Sequence, residues 1–595
     1  MSKPRTSSLR SLRAIVPYVR VYRVQLALGL ACVIGSSAIA SVIPWLLRRA
    51  IDALSVGAPP RDIWVIAGAM LGTVLVTGVL RFQMRNILNA ISRYVEYDLR
   101  NAMFRHLLTL DAGFFGRNRT GDLMARLTND LSAVRMVAGP AIMYLVNTIA
   151  GGLFALAFML RISATLTGIA VLPMILLPVI TAWIGALIHK RFEAVQEHFG
   201  VMTTHAQENI SGARIVRAFR QEAAEEAHFA RLNDEYLRRN MGLARLYGLT
   251  SPALQFLAGL GAVAVLGVGG TATLRGEITV GEFVAFGLYL GMLTWPLIAL
   301  GWVINLFQRG SASMGRINAV LGSTASVTSP AHPASLPTPR GRGRTIEFRG
   351  VGYHYPVGGG ETPRWVLRDI TFTVPAGATV GIVGATGSGK SALMDLIPRF
   401  WNPQEGQILV DGVPIAELPL EALRSTIGYV PQESVLFSDT ILANLTYGGN
   451  TDDAACAAAA VAQLDAAIAD LPDGYATQLG ERGINLSGGQ KQRAAIARAL
   501  ARDPQIVLLD DALSAVDTGT EAAILHGLRT ELSGRTALIA SHRVSAVREA
   551  AWIVVLDDGR IVEQGTHDEL VRSRARYWQL LRRQQVSDEL DAVAV

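Results

Sequence analysis

Six stretches without one charged side chain run through the first half of the sequence, and each must be kept from water over its whole length. They cover residues 24–47, 63–80, 136–160, 162–188, 246–274 and 283–308. Crossing a bilayer takes about 20 helical residues, so the pattern predicts six membrane-spanning helices. The second stretch is the shortest, and its helix is expected to continue past Arg81. The fourth carries Pro173 and Pro178, which membrane helices tolerate where neighbours re-satisfy the backbone. With 50% hydrophobic and 17% charged residues over 595 positions, the chain is too long for one core and suits a partly lipid solvent.

Charge in the connections orients the spans. Segment 1–23 holds six basic residues and no acidic one, and the long connections 81–135 and 189–245 hold nine Lys/Arg each. The connections at 48–62, 161 and 275–282 are short and poorer in basic residues. The positive-inside rule therefore places both termini and both long connections in the cytosol. A cleavable signal peptide is the alternative reading of the first run, which contains Ala38-Ile39-Ala40. That run is too long for a leader and five more follow it. Gly29-Leu30-Ala31-Cys32 narrowly misses a lipoprotein site, and Cys32 reads as a membrane cysteine. The other cysteine, Cys456, lies in the soluble half, so no disulfide is expected. The net charge of +7 sits beside apolar runs, which argues for membrane topology and against a nucleic-acid surface.

Both long connections have few breakers and apolar residues at helical spacing, so they read as helices extending well beyond the membrane. Gly113-Phe114-Phe115-Gly116-Arg117 and Arg119-Thr120-Gly121-Asp122-Leu123 mark the turn of the first hairpin. Glu208-Asn209-Ile210-Ser211-Gly212 leads to a second turn at residues 218–222. Such tips either simply close a hairpin or dock on another domain. Residues 322–344 are rich in Pro, Ser, Thr and Gly and read as a linker. The expected order is a cytosolic segment 1–23, a transmembrane domain 24–321, the linker 322–344, an α/β P-loop domain 345–583 and a tail 584–595.

In the second half, the strand-like residues 379–383 run into Gly384-Ala385-Thr386-Gly387-Ser388-Gly389-Lys390-Ser391. This is a phosphate-binding loop, with the required strand before it and helical residues after it. Its glycines let backbone N–H groups close around phosphates at a helix N-terminus. Lys390 brings charge to the β- and γ-phosphates, and the Ser391 hydroxyl is a Mg²⁺ ligand. The apolar run Ile506-Val507-Leu508-Leu509 delivers Asp510, the expected Walker B carboxylate, to the same metal.

Leu486-Ser487-Gly488-Gly489-Gln490 narrows the class. With it the chain resembles the ATP-binding-cassette transporters, from about residue 15 to residue 580. The resemblance implies that two ATPase domains enclose two ATP molecules, each signature touching the nucleotide held by the opposite subunit. It also implies roles for further residues. Tyr355 resembles the aromatic that stacks on adenine, and Gln432 the glutamine that senses Mg²⁺. Glu481 in Gly480-Glu481-Arg482-Gly483 is similar to an exporter motif that meets the membrane domain. Ser514-Ala515-Val516-Asp517 resembles the loop crossing the dimer interface, and His542 the histidine that contacts the γ-phosphate. The membrane half resembles exporters with one membrane domain ahead of one ATPase domain, which favours docking tips.

One position departs from the family pattern. Where the family places glutamate to orient or deprotonate the attacking water, this chain has Asp511. The carboxylate is retracted by roughly 1 Å, a shift that can cost about 10²-fold in rate. The pattern resembles the degenerate-site subunit of heterodimeric exporters, whose partner carries glutamate there; a homodimer in which Asp511 suffices is the alternative. Uncharged spans suit an apolar or amphipathic cargo, a lipid or drug-like compound. Asn147, Gln255, Trp295 and Asn305 are candidates to face it, and Arg81 and Arg85 either snorkel at the interface or hold an anionic head group. A regulatory ATP-binding subunit and an importer on an exporter fold are the competing readings. The expected location is a bacterial cell membrane, with ATP and Mg²⁺ as cofactors, membrane lipid and a second half-transporter as partners, and no nucleic acid.

Overall fold

The computed structural model describes residues 9–356, 363–480, 483 and 485–593, without the side chains at 9, 173–179, 181, 182, 251, 254, 257, 258, 294, 295, 297, 298, 518 and 587–593. The chain forms two compact units. One comprises Met1–Leu108 with Thr120–Ser323, the other Thr109–Arg119 with Thr324–Val595. The first hairpin tip is therefore part of the second unit, although its flanking helices belong to the first.

The first unit is helical throughout. Arg23–Ala40 and Val42–Ser55 are set off by Ser41, and Pro60–Leu107 then runs unbroken for 48 residues. At 1.5 Å per residue that helix is about 72 Å long, far more than the ~30 Å hydrocarbon layer. Ala164–Ser211, Glu222–Ala264 and Val280–Leu321 have similar lengths of 48, 43 and 42 residues. Among the described residues three helical segments are long and apolar enough to cross a membrane: Arg23–Ser55, Pro60–Leu107 and Thr120–Ile162. Gly259–Leu274 and Val280–Leu293 are shorter apolar helices. The described residues thus supply three such segments where the sequence predicts six; the stretches 162–188, 246–274 and 283–308 each include side chains outside the described residues.

Packing follows helical periodicity. Leu88, Ile91, Val95, Leu99 and Met103 form a buried stripe on Pro60–Leu107. Gly29 lets the preceding span approach it, since a Cβ there would stand 2.7 Å from the Leu88 side chain. Below the apolar stretch the buried carboxylates are all paired. Glu96 meets Arg93, Arg100 and Arg135 at 3.2, 2.7 and 3.3 Å. Asp130 takes a two-pronged bond from Arg316 at 2.5 and 2.8 Å, and a third from the Ser313 hydroxyl at 2.9 Å. Unpaired, either carboxylate would carry a desolvation cost of several kcal/mol.

Among its described residues the second unit has ten strands: β1 (Ile346–Tyr353), β2 (Leu367–Val374), β3 (Thr379–Gly384), β4 (Glu405–Val410) and β5 (Val413–Pro414) come first. They are followed by β6 (Ile427–Val430), β7 (Ile506–Asp510), β8 (Thr536–Ser541), β9 (Trp552–Asp557) and β10 (Arg560–Gly565). One sheet is antiparallel, in the order β2-β1-β4-β5. The other runs β10-β9-β3-β8-β7-β6, parallel except for β9–β10. β7 and β8 are buried at every position, as expected of parallel strands covered on both faces.

A buried hydroxyl ties the end of the linker to this sheet. Thr536 Oγ1 donates to the Arg344 carbonyl (2.6 Å) and accepts from the N–H groups of Arg344 (2.9 Å) and Gly377 (3.1 Å). Thr536→Val keeps the shape and orphans those groups, so it should destabilise the ATPase unit by about 1–3 kcal/mol. Thermal unfolding of the purified chain measures this as a lowered Tm.

Candidate ATP site

The parallel register decides which residues meet. Val383 pairs with Ser541, Asp510 with Ala540, and Val430 with Leu509, so the carboxyl ends of β3, β8, β7 and β6 lie level. Loops leaving those ends carry the phosphate loop, His542, Asp510 with Asp511, and Gln432. Ligands gather at this edge of open α/β sheets. A cavity of about 440 Å³ opens there, lined by Tyr355, Val366, Thr386, Gly387, Gly389, Lys390, Ser391, Ala392, Gln432, Asp511, Ser514 and His542.

The phosphate loop depends on two left-handed glycines, Gly387 at φ +85° and Gly389 at φ +102°. Gly389 immediately precedes the helix Lys390–Leu396, and a Cβ on it would stand 2.7 Å from the Leu367 side chain. The Lys390 ammonium, buried, bonds to the carbonyls of Gly384 (2.9 Å) and Ala385 (3.1 Å) of its own loop. Burial pulls its pKa below the ordinary lysine value, against the pull of Asp511 and Asp510. Burial pushes the Asp510 carboxyl up to about 6, opposed by a Ser391 hydroxyl bond and reinforced by Asp511.

Three observations test the fit to Mg²⁺ and a nucleotide. Asp510 Oδ1 and Ser388 Oγ are buried without a hydrogen-bond partner. The hydrogen bonds of the Lys390 ammonium go to the neutral carbonyls of Gly384 and Ala385. The cavity joins Lys390 and Ser391 to the Tyr355 ring, which is 42% exposed. A dication beside Asp510 and Ser391 and phosphate oxygens beside Ser388 and Lys390 would satisfy these groups. Among the described residues no cluster of three or more His, Cys, Asp or Glu could hold a metal by itself. Mg²⁺ needs none, because it takes one or two protein ligands plus phosphate and water.

Asp511 stands at φ +45°, a left-handed conformation that aspartate tolerates better than most side chains. Its Oδ1 accepts from the backbone N–H of His542 at 3.1 Å and lies 2.9 Å from Nδ1 of the same residue. The signature takes a separate position. Ser487 caps the helix Gly488–Leu500 in a capping box with Gln490, and none of Leu486, Ser487, Gly488, Gly489 or Gln490 lines the cavity. A Cβ on Gly489 would stand 2.8 Å from the Ala515 carbonyl, so this helix lies close on the loop of residues 514–517.

Sequence reasoning missed Gln492, whose Nε2 donates to the carbonyl of Asp511 (3.3 Å) and to Ser514 Oγ (2.9 Å) while its Oε1 accepts from Ala515 N–H (2.9 Å). It is buried two positions after the signature, and nothing but its place on the inner helix face marks it in the sequence. Also missed was Trp401, edge-on to Tyr355 with ring centroids 5.5 Å apart. Glu481 lies outside the described residues, as does the Trp295 side chain. In the membrane unit Asn147 accepts from Ser37 at 3.2 Å. Arg85 lines a groove of about 390 Å³ with Phe82, Asn86, Asn89, Ala90 and Arg93, whereas Arg81 does not.

Comparison with known proteins agrees with this architecture. Residues 26–297 match the family model described as the ABC transporter transmembrane region, and residues 367–514 match the ABC transporter family model. The chain is 38% identical over 577 residues to the probable multidrug resistance ABC transporter ATP-binding/permease protein YheI of Bacillus subtilis, covering 96% of this chain and 97% of that one. It is 33% identical over 573 residues to the ATP-dependent lipid A-core flippase of Syntrophus aciditrophicus, covering 96% and 93%. A solved bacterial Atm1-family ABC exporter with ATP bound superposes with a TM-score of 0.76 at 29% identity, over 95% of this chain and 99% of that one. The chain belongs to the ABC transporter family, with its transmembrane and ATPase domains fused. It is an ATP-driven, multi-pass transporter of the bacterial cell membrane with a cytosolic ATPase domain.

Gly389→Ala combines a strained φ with the Leu367 clash. It should weaken ATP binding by more than about tenfold, read by fluorescent-nucleotide titration, while leaving the fold intact by circular dichroism.

Proposed function

We propose that this chain is one half of an exporter or flippase for hydrophobic and amphipathic compounds, lipids or drug-like molecules, with six spans and one ATP site of low hydrolytic rate. The observation that carries the reading is the geometry of the ATP cavity. Its lining includes the phosphate loop, Gln432, Asp511 and His542 but no signature residue, so a signature from a second subunit is needed to close it. The second tip supports the same reading. Ile210, Ile215 and Phe219 are 77%, 65% and 72% exposed, whereas Phe114 of the first tip is 6% exposed. An apolar tip of this kind suits docking on a partner's ATPase domain.

The proposed roles follow from position. Tyr355 stacks the base; Gly384, Ala385, Thr386, Gly387, Ser388, Gly389 and Lys390 cradle the phosphates; Ser391, Gln432 and Asp510 hold Mg²⁺. Mg²⁺ when bound would neutralise charge on the β- and γ-phosphates. His542 reaches the γ-phosphate and Asp511 orients the water that forms the new P–O bond as ADP leaves. Asp511 is poorly suited to this task. It is short, and one of its two oxygens already receives the backbone N–H of His542 and faces its ring nitrogen. An oxygen so occupied has less room to accept from an attacking water. The heterodimer follows: this subunit would lend its signature to a faster site on a partner carrying glutamate at the equivalent position.

ATPase assays on the purified chain address this directly. Turnover of the chain alone should be slow, should rise at least about tenfold in Asp511→Glu, and should change little in Asp511→Ala. Robust turnover abolished by Asp511→Ala would mean a self-sufficient homodimer instead. For the cargo, the groove at Arg85 suits an amphiphile with an acidic end. Arg85→Gln should raise several-fold the concentration of lysophosphatidylglycerol needed to stimulate the ATPase of the co-purified pair, with no change for a cationic dye.

A further inference from the structure

The Pro/Ser/Thr-rich stretch after residue 322 has the composition of a slack tether, yet the structure fastens it down at successive points. Val327 is buried, and Ala334 and Leu336 pack on the core around the antiparallel sheet. Asn402 Nδ2 donates to the Ser326 carbonyl (3.4 Å) and Arg399 Nη2 to the Thr328 carbonyl (3.4 Å). The Ser329 hydroxyl accepts from Leu420 N–H (3.0 Å), the Glu417 carbonyl from Ala334 N–H (2.8 Å), and the Pro337 carbonyl from Arg344 Nη1 (2.8 Å).

The first of these fastenings is made by the hairpin tip. Asp111 caps the tip helix Ala112–Arg117, its Oδ1 accepting from Phe114 N–H at 2.9 Å. Its other oxygen, Oδ2, accepts from the linker: from the backbone N–H and the hydroxyl of Ser326, the latter at 2.6 Å, and from Val327 N–H at 3.3 Å. One carboxylate thus divides its oxygens between helix cap and linker. Burial pushes this carboxyl up, but the bonds from Ser326, Phe114 and Val327 outweigh burial and hold it below the ordinary aspartate value, so it stays charged at neutral pH. The tip also rests on the nucleotide side. A Cβ on Gly113 would stand 3.0 Å from Trp401, the ring edge-on to Tyr355.

We propose that Asp111 is a positioning residue for energy coupling: it clamps the first tip to the interdomain linker, so that tip, linker and ATPase unit move as one body. The helix Pro60–Leu107 ends four residues before Asp111, and the linker follows the helix Val280–Leu321. Movement of the ATPase unit would therefore pull on the membrane unit through two chain segments joined at one carboxylate, rather than through an isolated tip.

Asp111→Asn separates the two duties of the side chain. Asparagine is as good an N-cap as aspartate, so its carbonyl oxygen can keep the Phe114 bond. Its amide nitrogen, a donor, would then face the three donors of Ser326 and Val327. Hydrogen exchange on the full-length chain in lipid nanodiscs, read by mass spectrometry, gives the test. In Asp111→Asn the Ser326 and Val327 amides should exchange at least about tenfold faster, with Phe114 still protected. Ser326→Ala, losing one of three bonds, should give a smaller change. Adding ATP and Mg²⁺ should protect residues 384–391 in wild type and variant alike, but should alter exchange in residues 109–119 only in wild type. Unchanged Ser326 and Val327 exchange, loss of Phe114 protection with the tip unravelled, or a tip response to ATP as large in the variant as in wild type would each overturn the clamp. Absence of ATP protection at residues 384–391 in wild type would count against the nucleotide reading, while the nucleotide-free comparison still tests the clamp.

Discussion

Parallel strand pairing is the constraint on which the ATP site depends. Four consecutive neighbours, β3, β8, β7 and β6, share one direction and a level register. Residues from 384 to 542 in sequence therefore converge without long side chains reaching for one another. These four strands are buried on both faces, so a slip of register would have to break backbone bonds in a dry core, at a cost of a few kcal/mol per orphaned group. What varies along this edge is only the chemistry of the loop ends. A change of side chain at residue 511 therefore leaves the frame intact.

The same edge explains why Asp510 and Asp511, adjacent in sequence, behave differently. Asp510 ends its strand inside the sheet, is 1% exposed and has an oxygen without a partner. Asp511 turns out of the strand at positive φ and spends one oxygen on His542. The first keeps an unpartnered oxygen and the second is already engaged. Gln492 then holds the Asp511 carbonyl and the following loop to the signature helix, so Asp511, the loop of residues 514–517 and the signature helix share one support.

Much of this was legible in the sequence because it is carried by local spacing. The phosphate loop, the strand ending in Asp510 and the signature are contiguous words, and their glycines mark positive φ or close approach at Gly387, Gly389 and Gly489. The long helices were legible too, since Pro60–Leu107 lacks an interior proline and has no glycine after Gly78. Gln492, Trp401 and the partners of Asp111 were not. Each acts through a contact between residues distant in sequence, and nothing in the local pattern distinguishes Gln492 from a solvent-facing glutamine. The linker shows the limit most clearly. Its composition speaks for slackness, because Pro, Ser and Thr avoid helix and strand, but composition does not report hydrogen bonds to a carboxylate more than 200 positions away.

That carboxylate belongs to a fragment, Thr109–Arg119, which is part of the ATPase unit in space and part of the membrane half in sequence. The ATPase unit is consequently a discontinuous piece of the gene product. A fragment expressed from the linker onward would expose the Trp401 face and the Ser326 and Val327 amides that the tip covers. On the ribosome, the tip is made more than 200 residues before the surface it rests on, so it stands without that surface until the second half has been made. Assembly order, as well as energy transfer, is written into the first turn of this chain.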